Sequence, residues 1–130
     1  MAKSVEQDSI MLVMDRSDDN VKLISSTLKK AGYDVVLHSD ADEIAHLADH
    51  SYPQLAIIDP STPGLELSEL LAALDPGIRV LIVADSGLLD DAPAWAFSKK
   101  VRVRLTKPVR RATLLGSVLK VASEPRYLTA

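Results

Sequence analysis

Leu55-Ala56-Ile57-Ile58-Asp59-Pro60-Ser61-Thr62-Pro63-Gly64 is the stretch on which the fold turns. Four consecutive apolar residues end on an acid, and the residues that follow form a turn by themselves without needing one. A short apolar run bounded by polar residues suits a strand covered on both faces, the way strands of a parallel sheet are buried. Similar runs stand at residues 10–13, 80–83 and 101–105, and a weaker one at 34–37 (Asp34-Val35-Val36-Leu37). The run Val101-Arg102-Val103-Arg104-Leu105 alternates, as an edge strand would.

Between these runs the apolar spacing becomes helical. Val21, Ile24, Leu28 and Ala31 form one stripe, with Ser17 or Asp18 as its cap and Gly32 as its stop. Ile44, Leu47 and Ala48 predict a second, shorter helix. Leu67, Leu70, Leu71 and Leu74 predict a third, ended by Asp75-Pro76-Gly77, and Leu114, Leu115, Val118, Leu119 and Ala122 predict the last. A helix within 88–100 requires Pro93 in its first turn and Asp90 or Asp91 as cap. Five strand-helix alternations predict a doubly wound α/β sheet flanked by five helices. The expected organisation is a single domain over residues 1–130, with its core at about 10–123 and no room for an output domain after the last helix.

Composition narrows the function classes. A 47% hydrophobic and 25% charged chain is ordinary for a globular protein and too apolar for a disordered one. No apolar run approaches the roughly 18 residues of a membrane span, and residues 1–8 lack a signal peptide's apolar stretch, so a cytoplasmic location is expected. With no cysteine, disulfides, thiolate metal sites and cysteine nucleophiles are excluded. The formal charge of -3 gives no support to nucleic-acid binding.

In an open parallel sheet, ligands bind beyond the carboxyl ends of the strands. There the sequence places Asp15 after the first run, Asp59 after the third, Ala84-Asp85-Ser86-Gly87 at the end of the fourth and Thr106-Lys107-Pro108 after the fifth. Two carboxylates and a lysine would thus share one edge. Carboxylate oxygens suit a hard divalent cation and an ammonium suits phosphoryl oxygen, so the trio reads as a seat for both. Taken alone, Asp15 could be a helix cap and Lys107 a surface lysine; their order along the chain argues otherwise.

The segments Met11-Leu12-Val13-Met14-Asp15-Arg16-Ser17-Asp18-Asp19-Asn20, Tyr52-Pro53-Gln54-Leu55-Ala56-Ile57-Ile58-Asp59-Pro60-Ser61-Thr62-Pro63-Gly64 and Leu105-Thr106-Lys107-Pro108 resemble the receiver domains of bacterial two-component response regulators. The resemblance runs from about residue 10 to 123. It implies a flavodoxin-like sheet of order 2-1-3-4-5, with Asp59 as phosphoacceptor for a histidine kinase or phosphotransfer protein. It also implies Mg2+ held by Asp15, Asp59 and the main-chain carbonyl of Ser61, Lys107 paired with the phosphoryl group, and a cis Lys107-Pro108 bond. Such a chain is no turnover enzyme, only an acceptor that loads and unloads its own phosphoryl group.

Three positions depart from the family's pattern. Met14 replaces the first of two consecutive acids, and its thioether is a poor partner for magnesium, so a weakened metal site is expected. Ala84 replaces a Ser or Thr that grips the phosphoryl group, with a loss of about 1.5–3 kcal/mol for a hydrogen bond to a charged group. Asp85 or Ser86 could compensate only if their loop bends inward. Arg104 replaces the aromatic switch residue. Two readings follow: a phosphorelay receiver with atypical switching, or a pseudo-receiver whose surface is read regardless of phosphate. Retention of Asp15, Asp59 and Lys107 favours the first. A flavin- or nucleotide-binding protein of this topology would need a Gly-rich loop after the first strand, which the sequence lacks.

The basic stretch Lys99, Lys100, Arg102, Arg104, Lys107, Arg110 and Arg111 reads first as a solvated face. The alternative is a docking surface for an acidic partner on the face made by the fourth helix, fifth strand and fifth helix. His46 and His50 are four apart on a predicted helix but have no third ligand. Trp95 and Phe97 read as packing residues of the fourth helix.

Overall fold

A computed structural model describes residues 9–40, 53–87 and 98–124. Five strands, β1 (Ser9–Val13), β2 (Asp34–His38), β3 (Leu55–Ile58), β4 (Arg79–Ala84) and β5 (Val101–Thr106), form one sheet of order β2-β1-β3-β4-β5. Every neighbouring pair is parallel, so the predicted wound sheet and its strand order are present. The described helices are α1 (Asn20–Lys30), α2 (Leu67–Ala73) and α3 (Arg111–Ser123). The helix expected around Ile44 to Ala48, with His46 and His50, lies outside the described residues. So does most of the helix expected within 88–100, including Trp95 and Phe97. Its last three positions, 98–100, are not helical but turn into β5, with Val101 N donating to the Ser98 carbonyl at 3.2 Å.

Alternation along the central strands divides the core between the two faces of the sheet. Ile10, Leu12, Leu55, Ile57, Leu81 and Val83 pack with Ile24 and Leu28 of α1 and Leu114, Val118 and Val121 of α3. Met11, Val13, Ala56, Ile58, Val80 and Ile82 pack on the opposite face with Leu67, Leu70 and Leu71 of α2. All four side chains of β3 and all six of β4 are buried, which is why their sequences are unbroken apolar runs apart from one arginine. β2 and β5 lie at the edges and are only partly covered. Between Val80 and Leu81 the β4-β5 register skips Arg102.

The ends of α1 show how local chemistry sets its limits. At the carboxyl end Gly32 adopts φ 99°, the left-handed conformation that costs glycine nothing. Its N–H donates to Lys29 O at 3.0 Å and Tyr33 N to Leu28 O at 3.0 Å, which closes a Schellman motif. At the amino end the helix begins at Asn20, one residue later than a cap at Asp18 would give, yet Asp18 Oδ1 still accepts from Asn20 N at 2.8 Å.

At the amino rim of the sheet, two cations hold helix ends, a role that the sequence pattern does not assign to them. Arg79, 4% exposed at the start of β4, donates through Nη1 to Val121 O at 2.6 Å and Glu124 O at 2.7 Å, at the end of α3. Lys100 Nζ donates to Leu71 O and, at 2.7 Å, to Leu74 O at the end of α2. Burial lowers the Lys100 pKa against the opposing pull of Asp75. Both satisfy carbonyls that a helix leaves without internal partners.

Candidate functional site

The chain leaves β1 toward β2 on one side and leaves β3 toward β4 on the other, so the crevice between β1 and β3 is the topological switch point of the sheet. Val13 and Ile58 are register partners, and Asp59 N donates to Val13 O at 2.8 Å, so the two strands deliver their following residues side by side. β4 and β5 bring the third component, since Lys107 N donates to Ala84 O at 2.9 Å.

Asp59 is 1% exposed. Its Oδ1 accepts from Ser61 N at 2.8 Å and Ser61 Oγ at 2.7 Å, and its Oδ2 accepts from Lys107 Nζ. The Pro60 to Gly64 turn is held from within: Thr62 Oγ1 donates to Asp59 O at 2.7 Å, and Gly64 takes φ 79°. Asp15 is half-buried, with Oδ1 accepting from Ser17 N at 3.0 Å and Ser17 Oγ at 2.9 Å. The Ser17 backbone bond, and then its hydroxyl, hold the Asp15 carboxyl below its usual range; Lys107 adds to this and the neighbouring Asp18 opposes it.

Lys107 is the hub. Besides Asp59 it binds Asp18, with Nζ 2.5 Å from Oδ2, in a mostly buried setting. Burial by itself would lower the lysine pKa, but the hydrogen bonds to Asp18 and Asp59 outweigh it and the pKa is raised. For Asp18 burial works toward a higher pKa, yet the bonds from Lys107 and Asn20 prevail and it is lowered. The Lys107-Pro108 peptide bond is cis.

Asp59 and Lys107 therefore meet at the carboxyl rim, and Asp15, held by Ser17, lies close enough to feel the charge of Lys107. Sequence reasoning missed Asp18, taking it only as a helix cap. No sequence signal separates it from Asp19 beside it; the choice depends on how the loop leaves β1. Asn20 was missed as well: its Nδ2 donates to Asp18 Oδ1 at 2.9 Å and its Oδ1 accepts from Val109 N at 2.9 Å.

The three departures from the family's pattern occupy distinct environments. Met14 is 0% exposed and packs with the α1/α3 side of the core, so it faces away from cleft chemistry altogether. Ala84 is fully buried on the α2 side of the core, whereas Asp85, Ser86 and Arg104 are exposed. Among the described residues no group of three or more His, Cys, Asp or Glu side chains could hold a metal ion. What the rim offers instead is two carboxylates, Asp15 and Asp59, and the Ser61 carbonyl. That all-oxygen set fits magnesium, which commonly takes one or two carboxylates and keeps several waters. No described helix is long and apolar enough to cross a membrane.

Comparison with solved structures agrees with this architecture. The chain is similar to a CheY-like response regulator receiver domain protein from Methanospirillum hungatei (24% identity, TM-score 0.75, covering 88% of this chain and 93% of that one). It is also similar to the receiver domain of a sensor histidine kinase from Pseudomonas aeruginosa, described with magnesium coordinated in its active site cleft (20% identity, TM-score 0.76, covering 90% and 98%). A third similar structure is the receiver domain of the hybrid histidine kinase CckA (22% identity, TM-score 0.69, covering 88% and 99%). Comparison with curated proteins finds no match. The model of the response regulator receiver domain matches residues 11–119, and with five parallel strands in that family's order the chain belongs to the receiver-domain family.

Proposed function

We propose that this receiver domain takes a phosphoryl group onto Asp59 from a phosphohistidine donor on a histidine kinase or phosphotransfer protein. The observation that carries the reading is the ion pair between Lys107 and the buried Asp59 at the switch point of the sheet. An Asp59 carboxylate oxygen attacks phosphorus in line as the phosphorus–nitrogen bond breaks, and the bonding pair leaves with the imidazole. Such a transfer needs positioning and charge neutralisation more than covalent help from the protein. Lys107 provides one positive charge for the phosphoryl oxygens, while the Ser61 N–H and hydroxyl hold the carboxylate plane. When bound, magnesium would be held by Asp15, Asp59 and the Ser61 carbonyl and would neutralise charge on the phosphoryl oxygens.

The product is an acyl phosphate on the protein itself, so the chain acts as an acceptor that unloads by hydrolysis and not as a turnover enzyme. The partner surface we assign is the basic edge of β5 and the start of α3, where Arg104, Arg110 and Arg111 are exposed; it suits an acidic protein partner in the cytoplasm. Incubation with magnesium and acetyl phosphate, followed by intact mass measurement, tests the acceptor role. The expected result is the mass of one added phosphoryl group, lost in Asp59→Asn.

A second reading has its own observation. With Ala84 buried and lacking a hydroxyl, and Arg104 exposed in place of an aromatic residue, the usual conformational readout has no side chains to use. A pseudo-receiver read irrespective of phosphate would show no mass gain under any donor, and its partner would bind Asp59→Asn as well as the parent chain.

A further inference from the structure

A continuous polar chain leaves the phosphoacceptor in a direction unrelated to Ala84 and Arg104. Asp59 Oδ2 accepts from Lys107 Nζ, and the same ammonium donates to Asp18 Oδ2. Asp18 Oδ1 accepts from Asn20 N and Nδ2. Asn20 Oδ1 accepts from Val109 N, the first amide beyond the cis Lys107-Pro108 bond and Pro108. Asn20 joins elements 89 residues apart in sequence. Val109 is buried in the α1/α3 core and borders a groove of about 230 Å³ lined by Leu105, Thr106, Pro108, Val109, Arg110 and Thr113.

We infer that Asp18 is a positioning residue for Lys107 and that, through Asn20, it couples the state of Asp59 to the connection between β5 and α3. The inference rests on the phosphoacceptor reading. Lysine carries a single ammonium. Unmodified, it divides that charge between two carboxylates; a phosphoryl group on Asp59 presents about two negative charges and draws it away from Asp18. The backbone N–H and side-chain amide of Asn20 both donate to Asp18 Oδ1, so a shift of Asp18 moves the Asn20 amide and loosens its hold on Val109. The rim of the groove then changes, and the signal emerges at the β5-α3 connection without a hydroxyl at position 84 or an aromatic ring at position 104.

The test is amide hydrogen exchange at Val109, read by NMR on the full chain with magnesium alone and with magnesium plus acetyl phosphate, with the mass of each sample checked. In the parent chain phosphorylation should speed Val109 exchange about tenfold. Asn20→Ala, once its gain of phosphoryl mass is confirmed, should exchange fast at Val109 in both states. Asp18→Asn keeps, through its amide oxygen, an acceptor for Asn20 N and loses the charge that holds Lys107. It should load about tenfold more slowly and, once loaded, show no acceleration at Val109. It also keeps the test open should Asn20→Ala fail to fold. Phosphorylated parent chain with Val109 as protected as before, or Asp18→Asn with the parent's acceleration, overturns the inference while leaving the acceptor role intact. A chain that gains no mass removes the acceptor role and this coupling with it.

Discussion

The two rims of the sheet use the same ingredients, a buried cation and oxygen acceptors, for opposite ends. At the amino rim Arg79 and Lys100 donate to main-chain carbonyls at the ends of α3 and α2. At the carboxyl rim Lys107 donates to two side-chain carboxylates from different loops. A carbonyl at a helix end cannot change its charge or leave without unwinding the helix, so the amino-rim contacts serve stability alone. A carboxylate can be modified, and a lysine shared between two of them can be redistributed. Placement of the charge on backbone or on side chain separates the scaffold from the switch.

The comparison is broken most directly by exchanging the roles of the two rims. Lys107→Met should slow phosphoryl uptake by about a hundredfold or more, since a preorganised charge at a transferring group is worth that much; uptake is followed by intact mass over time. Arg79→Met should leave uptake within about threefold and instead lower unfolding free energy by about 3 kcal/mol in urea, because buried carbonyls lose a charged donor. If Arg79→Met slowed uptake as Lys107→Met does, the division between the rims would fail.

Met14 sharpens the contrast, since it adjoins the chemical rim but packs as core. Met14→Ala should cost about 2–4 kcal/mol of stability, as cavity-forming core truncations do. Its magnesium dependence of uptake should remain that of the parent. A smaller effect belongs to Lys100→Met, about 1 kcal/mol, because the end of α2 lies near solvent and water replaces part of the lost contact.

The smallest effect is a dependence on pH. Asp18 has a lowered folded pKa, so its contribution is present above its ordinary value of 3.8 and is lost as pH falls through the folded value. Lys107 has a raised folded pKa, so its contribution is complete below 10.5 and is lost only as pH climbs through the folded value. The pair therefore holds across the whole range between the ordinary carboxyl and ammonium values. Urea midpoints measured against pH should decline below about pH 4, and Asp18→Asn should lower the neutral plateau and flatten that acid limb, because the contribution it removes is the one present above the ordinary carboxyl value.

Much of this was legible in the chain. Unbroken runs at 55–58 and 80–83 announced central strands, the alternation at 101–105 announced an edge, and Gly32 marked the end of α1, because each of these is a local consequence of burial or of backbone sterics. The pairing of Asp59 with Lys107 was legible too, since parallel strands in a wound sheet all deliver their carboxyl ends to one rim. The partners of the charges were not. Arg79 drew no reading, Lys100 stood only within a basic stretch read as a solvated or docking face although its ammonium holds carbonyls at the end of α2, and Asp18 was read only as a helix cap.

Sequence alone determined which segments are buried and that acids and a lysine follow the carboxyl ends of the strands, because hydrophobic periodicity acts segment by segment. Only the tertiary structure decided that Met14 turns inward, that Lys107 divides its charge between Asp59 and Asp18, and that Asn20 reaches Val109. Those outcomes depend on distances of a few ångströms between residues dozens of positions apart. No local pattern encodes such distances.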